Sequence, residues 1–283
     1  MKNKNFEKSL SWSITRNCNY NCSYCISPRE EGDKEKYPEP YLFLDKFKKY
    51  LSGSWKIYIS GGEPFLVPKF IDIAKELSEK RHRLVVMTNL SSSLDELSEF
   101  IEVTGNNLSH ISASLHLGFS DIEEYLKKSV EISKMIERKF SVRIVAAPGK
   151  VLEMSEIGQK FKNRGINFFL RPEKFSFDKT QKQKEYSKKE VEILNKFKLH
   201  NIMRLTQSYS FKGKLCRAGS DYFSINEKGD AWRCHPAEKL KSKESYLGNF
   251  FDKSFELNKK AMKCPCQFCY CAHNIFYKNK LIL

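Results

Sequence analysis

Short runs in which apolar and small polar residues alternate recur along the first two-thirds of the chain. In LSWSITR (10–16), Leu10, Trp12 and Ile14 share one face, and Ser11, Ser13 and Thr15 the other. WKIYIS (55–60), HRLVVMTN (82–89), SHISASLHL (109–117), SVRIVAA (141–147) and INFFLR (166–171) continue the theme. A period of two marks a strand. Between these runs the apolar positions take helical spacing: Phe70, Ile73, Ala74 and Leu77, then Leu94, Leu97 and Ile101, then Met154, Ile157 and Phe161. Ser120-Asp-Ile-Glu123 reads as a capping box that opens a helix with Ile122, Tyr125, Leu126 and Ile136 on one side.

Strands alternating with helices imply a parallel sheet. Six units fall short of a closed (β/α)8 barrel, so the sequence predicts an α/β fold, an open partial (β/α)6 TIM-like barrel over residues 8–200. Its apolar strand faces pack under the helices and its small polar faces line a lumen. Reactive loops belong at the carboxyl ends of the strands. Past residue 171 the pattern changes. Residues 172–190 are polar and lysine-rich, a linker into a last helix over 188–199. In DYFSINEKGDAWRC (221–234) the turn-forming NEKGD lies between two strand-like runs, a hairpin signal. A small cysteine-rich C-terminal domain is predicted over residues 205–283.

Composition narrows the class. With 40% hydrophobic and 13% aromatic residues the chain can bury a core rather than stay disordered. No run reaches the roughly 18 apolar residues of a membrane span, and MKNKNFEKSL lacks the apolar core of a signal peptide. A cytoplasmic protein with no membrane partner is expected. The net charge of +16 suits nucleic acid or an acidic protein partner. However, the densest basic run, KTQKQKEYSKKE (179–190), interleaves five lysines with two glutamates and one aromatic. A solvated lysine face accounts for it, and nucleic acid is not the favoured partner.

A reducing compartment makes nine cysteines poor disulfide candidates and favours metal or redox chemistry. Cys18, Cys22 and Cys25 lie together, none follows for 190 residues, and then come Cys216, Cys234, Cys264, Cys266, Cys269 and Cys271. The first three, spaced C-x3-C-x2-C directly after the first strand, admit three readings: disulfide partners, a zinc knuckle short of one ligand, or a cage with one corner open. Thiolates select zinc, copper(I) or iron–sulfur clusters. A structural zinc needs four ligands, and no histidine or fourth cysteine is nearby in sequence.

This loop resembles the signature of the radical S-adenosylmethionine (SAM) enzymes, with Tyr24 as the aromatic before the last cysteine. ISGGEPFL (59–66), after the second strand, is similar to that family's GGE motif, carried here by Gly61, Gly62, Glu63 and Pro64. Glycine also suits a site that a ligand approaches closely. The resemblance implies a [4Fe–4S] cluster held by Cys18, Cys22 and Cys25, with SAM on the open iron, its amino group received at Gly61–Pro64 and Tyr24 among its contacts. It further implies reductive SAM cleavage to a 5′-deoxyadenosyl radical and hydrogen abstraction from a peptide or small-molecule substrate, for oxidation or another modification. An acidic electron donor such as a flavodoxin or ferredoxin is the implied partner. Ser112, Ser114 and His116 share the polar face of the fourth strand, where such enzymes contact SAM. Thr88 and Asn89 end the third strand in a stretch resembling a TNG turn, with Leu90 in place of glycine. Arg143 and Arg171 stand near the ends of strands five and six, placed to grip a carboxylate. No residue declares itself as the catalytic acid or base.

The second cysteine group, C-x12-G-x4-C from Cys216 through Gly229 to Cys234, resembles the opening of the SPASM and Twitch auxiliary-cluster domains. That resemblance implies a second [4Fe–4S] cluster on four of Cys216, Cys234, Cys264, Cys266, Cys269 and Cys271. A zinc site built from the tail cysteines with His235 or His273 is the other reading. At the level of function, the alternative to the radical enzyme is a basic zinc or iron–sulfur module acting on nucleic acid.

Overall fold

The computed structural model describes residues 7–25, 38–173, 186–197 and 211–266. Six parallel strands follow one another in chain order: β1 (Ser9–Thr15), β2 (Lys56–Gly61), β3 (Arg83–Thr88), β4 (Leu108–Leu115), β5 (Phe140–Ala146) and β6 (Phe168–Pro172). The helices between them are α1 (Leu42–Tyr50), α2 (Phe70–Glu79), α3 (Leu94–Thr104), α4 (Ile122–Ile136) and α5 (Val151–Asn163), and α6 (Lys188–Lys196) follows β6. The expected partial barrel is therefore present, with strand bounds within about two residues of those read from alternation.

The alternation is spent as expected. Leu10, Trp12 and Ile14 are buried beneath helices, while Ser11, Ser13 and Thr15 face the half-buried lumen side. Trp12 meets Phe43 and Phe47 of α1 at ring-centroid distances of 5.1 and 5.0 Å. A second aromatic knot, Phe65, Phe70 and Phe100, ties the segment after β2 to α2 and α3. Fully buried rings of this kind contribute about 3–5 kcal/mol each when judged by truncation to alanine.

Two local readings are corrected. The helix α4 is capped by Asp121, whose carboxylate accepts from Glu124 N at 2.8 Å, and not by Ser120. Asp is as good a cap as Ser, and the Ser120 hydroxyl lies instead 3.3 Å from that of Tyr20. The last helix ends at Lys196 and is opened by a full capping box, Ser187 with Glu190. Most of the predicted 172–190 linker lies outside the described residues.

The C-terminal part joins the same sheet. Strand β8 (Tyr222–Ile225) pairs parallel with the free edge of β1, Ser9 opposite Tyr222 and Trp12 opposite Ile225. Strand β9 (Asp230–Trp232) turns back antiparallel on β8, as the NEKGD signal predicted, and β10 (Tyr246–Asn249) pairs with β9. The sheet thus has nine strands in the order β10-β9-β8-β1-β2-β3-β4-β5-β6. Strands β7 (Leu215–Cys216) and β11 (Met262–Lys263) form a separate two-stranded ribbon. No helix among the described residues is long and apolar enough to cross a membrane.

One buried histidine gives the fold a pH dependence. His82, 4% exposed, accepts the Trp55 backbone N–H on Nδ1 at 3.2 Å, and burial lowers its pKa below the ordinary 6.5. The unfolded chain therefore binds a proton that the folded chain resists. This stability is complete above pH 6.5 and is lost as the pH falls below it, by up to about 1.4 kcal/mol per unit. Denaturant unfolding at pH 7.5 and 5.5 should show wild type losing more stability on acidification than His82→Asn, which keeps an acceptor but does not titrate. Equal losses would remove His82 from the acid sensitivity.

Candidate active site

The chain leaves β1 at Thr15 and enters the cysteine loop. A tight turn closes it, Cys25 N donating to Cys22 O at 3.0 Å, and the Tyr20 N–H points at Cys18 Sγ at 3.4 Å. Cys18 and Cys22 are half-buried, Cys25 is exposed, and all three are free thiols. Burial raises the Cys18 and Cys22 pKa values, and the neighbouring thiol charges raise them further. Ionisation is thus disfavoured at Cys18 and Cys22, so a bound cationic centre is what would stabilise them as thiolates.

The loop is held by the glycines that follow β2. Gly62 N donates to Thr15 O at 2.7 Å and Glu63 N donates to Asn17 O at 2.8 Å. A Cβ on Gly61 would stand 2.2 Å from Thr15 O, and one on Gly62 would stand 2.0 Å from Asn17 O. Gly61 also takes φ +139°, a region that side-chain-bearing residues avoid. The close approach that the sequence suggested for a ligand is made in this structure by the cysteine loop's own backbone.

Glu63 has no exposed surface. Its Oε1 accepts from Phe65 N at 3.2 Å and Thr88 Oγ1 at 2.8 Å, and its Oε2 accepts from Asn89 N at 2.6 Å. Burial pushes its pKa up to about 7, while the three donors pull toward the charged form. The carboxylate thus fastens the carboxyl end of β3 to that of β2. Asn89 carries the link onward: its side-chain amide donates to Asn19 Oδ1 at 2.8 Å and lies 4.0 Å from Cys18 Sγ. Leu90, in the position where a TNG turn carries glycine, adopts φ +64° while buried. Pro64 is buried and starts the short helical turn Pro64–Leu66.

From β4, His116 reaches the loop. Its Nδ1 lies 2.9 Å from Tyr24 Oη and 3.4 Å from Cys22 Sγ, and its ring stacks on Tyr24 at 5.9 Å. Tyr20 meets the other side of the histidine edge-on at 5.8 Å and stacks on Phe119 at 5.0 Å. Ser114 is half-buried on the same strand face, whereas Ser112 lies deeper, wholly enclosed with an unpartnered hydroxyl. Arg143 and Arg171 are half-buried on the lumen side of β5 and β6. The structure therefore gathers Cys18, Cys22, Cys25, Tyr24, Gly61, Gly62, Glu63 and His116 at one end of β1–β4. Asn19, Tyr20 and Asn89 join them. The first two sit inside the CNYNC motif, and nothing in the sequence alone distinguished them as supports rather than spacers.

The second cysteine group forms its own buried nucleus. Cys216, Cys234, Cys264 and Cys266 pack with Phe211, Ala218, Tyr222 and Ala237. Burial pushes the Cys216 thiol up to about 11. The Cys266 thiol is raised by its hydrogen bonds to Cys234 and Cys264, and the same bond lowers Cys264 to about 6. Buried Arg233 spans the nucleus, donating to the carbonyls of Ala218, Met262 and Lys263 at 2.9–3.1 Å. Cys269, Cys271 and His273 lie outside the described residues. Neither here nor at Cys18, Cys22 and Cys25 do three His, Cys, Asp or Glu side chains among the described residues close around a single ion. A multi-iron cluster spreads its sulfurs wider than one zinc, whose Zn–S bonds are about 2.3 Å.

Residues 12–146 match the family model described as the Radical SAM superfamily. A probable GTP 3′,8-cyclase of Methanocaldococcus jannaschii is 29% identical over 139 residues, 44% of this chain and 46% of that protein. A tungsten-containing aldehyde ferredoxin oxidoreductase cofactor-modifying protein of Pyrococcus furiosus is 25% identical over 181 residues, 58% of this chain and 50% of that one. The matches thus span about half the length of these curated relatives. Among solved structures, Streptococcus suis SuiB bound to S-adenosylmethionine aligns with TM-score 0.60 and 16% identity, over 88% of this chain and 64% of that one. BtrN in complex with AdoMet and 2-DOIA aligns with TM-score 0.50 and 14% identity, over 88% and 80%. These structural likenesses concern the fold.

The glycine staple yields a direct expectation. Gly62→Ala drives a methyl group into the Asn17 carbonyl, so the loop must move while the barrel core is untouched. Anaerobic reconstitution should show iron loading at the loop lost, with little change in the thermal melt. Glu63→Ala leaves the buried Asn89 N–H without a partner and should lower unfolding free energy by about 1–3 kcal/mol. Wild-type stability in that variant would show that the carboxylate is not the tie described.

Proposed function

Taking as premise that residues 12–146 place the chain in the Radical SAM superfamily, we propose that it cleaves SAM reductively at a cluster on Cys18, Cys22 and Cys25. When bound, the cluster and SAM supply one electron and a 5′-deoxyadenosyl radical that removes a hydrogen atom from substrate. The observation that carries this reading is the three-thiol loop, free of disulfides and stapled to the Gly61–Glu63 backbone at the carboxyl rim of the barrel. Cys18, Cys22 and Cys25 would hold such a cluster with three thiolates and leave it able to bind SAM. The chain's own residues fix the loop through Gly62 and Glu63, hold β3 through Glu63 and Asn89, and wall one side with Tyr24, His116 and Tyr20. Ser114, Arg143 and Arg171 face the lumen, where a substrate's polar groups would be received. An acidic low-potential electron donor, of the flavodoxin or ferredoxin kind, suits a chain of net charge +16.

The second cysteine nucleus is read as an auxiliary [4Fe–4S] site of Twitch or SPASM type within a unit over residues 205–283. Four buried cysteines on one hydrophobic nucleus support Cys216, Cys234, Cys264 and Cys266 as its ligands, beside the sequence alternatives Cys269 and Cys271. Arg233 would offset the negative charge of such a site. The substrate class is a peptide or a small molecule. The peptide option is favoured by the likeness to SuiB, which has been solved bound to the precursor peptide SuiA. The small-molecule option is favoured by BtrN and by the GTP 3′,8-cyclases.

Anaerobic reconstitution with SAM and dithionite should release 5′-deoxyadenosine, and Cys18→Ala, Cys22→Ala or Cys25→Ala should each abolish it. Normal output from any one of these variants overturns the assignment. Iron analysis separates the two sites: wild type should bind about eight irons, and the Cys18/Cys22/Cys25→Ala protein about four. Zinc with no iron in that triple variant would leave only the first cluster.

A further inference from the structure

Among the described groups on the barrel rim, His116 brings a titratable ring nitrogen to a cysteine sulfur. Its Nδ1 sits 3.4 Å from Cys22 Sγ and 2.9 Å from Tyr24 Oη, and its ring lies at 15° to that of Tyr24. The ring is held from a second side by Tyr20, which is itself fixed by Phe119 and Ser120. A metal-bound thiolate can only accept hydrogen bonds. In the Nδ1–H tautomer the single imidazole proton is shared between Tyr24 Oη and Cys22 Sγ, and the tyrosine hydroxyl also bonds the sulfur. These restraints leave the imidazole little freedom to turn away.

We propose that His116 is a positioning residue for the cysteine loop, donating a hydrogen bond at Cys22 Sγ that raises the reduction potential of the cluster that loop holds. This rests on the loop being a cluster site. Its physical basis is that a hydrogen bond to a ligand sulfur stabilises the more negatively charged, reduced cluster more than the oxidised one. Only Cys22 has this donor. Cys18 has backbone N–H and Asn89 contacts, and Cys25 is exposed. One edge of the cluster would therefore be tuned from strand β4, through a residue that no spacing rule on the cysteine motif identifies. The electron itself comes from a low-potential one-electron donor. His116 supplies no electron and transfers no proton in this role.

The test is an EPR-monitored redox titration of the whole, reconstituted protein, following the signal that changes when SAM is added. His116→Phe keeps the ring against Tyr24 and Tyr20 but removes the donor. At a fixed potential its ratio of reduced to oxidised cluster should fall about tenfold, a shift of 59 mV for a one-electron couple. His116→Gln restores an N–H donor and should recover most of that ratio. A wild-type potential in a fully loaded His116→Phe protein overturns the proposal, as does an equal shift in both variants. Should His116→Phe load no iron, His116→Gln decides alone: a wild-type ratio within about threefold supports the donor, and a tenfold fall overturns it. No SAM-responsive signal in wild type would instead remove the cluster reading on which the inference stands.

Discussion

Two backbone hydrogen bonds, Gly62 N to Thr15 O and Glu63 N to Asn17 O, bring the end of β2 against the start of the cysteine loop with no space between them for a side chain. Everything else at the rim is built on that contact. The loop cannot be held this way by β1 alone, because a strand end offers no lateral partner once its ladder stops. Residues 61 and 62 provide one by continuing the β1–β2 pairing past the register shift between Ser13 and Thr15. Two glycines in succession are required because each would otherwise put a methyl group into a carbonyl oxygen.

From there the constraint spreads along the barrel. Glu63 accepts two bonds from the end of β3, and Asn89 passes the restraint back to the loop through Asn19 and Cys18. His116 does the same from β4 through Cys22 and Tyr24. Three strands besides β1 thus carry one loop, each through a different kind of bond: backbone from β2, buried carboxylate and amide from β3, imidazole from β4. The radical chemistry proposed for this site would ask for this rigidity, since orientation and exclusion of water would be the protein's share of the work.

The other edge of β1 is occupied as well. Strand β8 pairs with it, and Arg16, next to the loop, stands 2.6 Å from buried Glu227 in the β8–β9 turn. It is an ion pair by proximity rather than an aligned hydrogen bond. The strand that presents the first cysteine group is therefore continuous, through one sheet, with the hairpin that leads to Cys234.

The alternation of Leu10, Trp12 and Ile14 with Ser11, Ser13 and Thr15, repeated six times, determined the parallel partial barrel, because a period of two with one small polar face has few other uses. The spacing of Cys18, Cys22 and Cys25 and the GGEP stretch determined where chemistry belongs, since both follow strand ends. Helix α1 and the Asp121 cap were not legible, the first because its polar residues blur the helical period, the second because Ser and Asp cap equally well. What Gly62 faces, where the Glu63 carboxylate turns, and that Cys216, Cys234, Cys264 and Cys266 share a nucleus were decided only by tertiary structure. These depend on distances between residues up to some ninety positions apart, such as Cys22 and His116, and a local pattern carries no information about which distant strand end will arrive beside it.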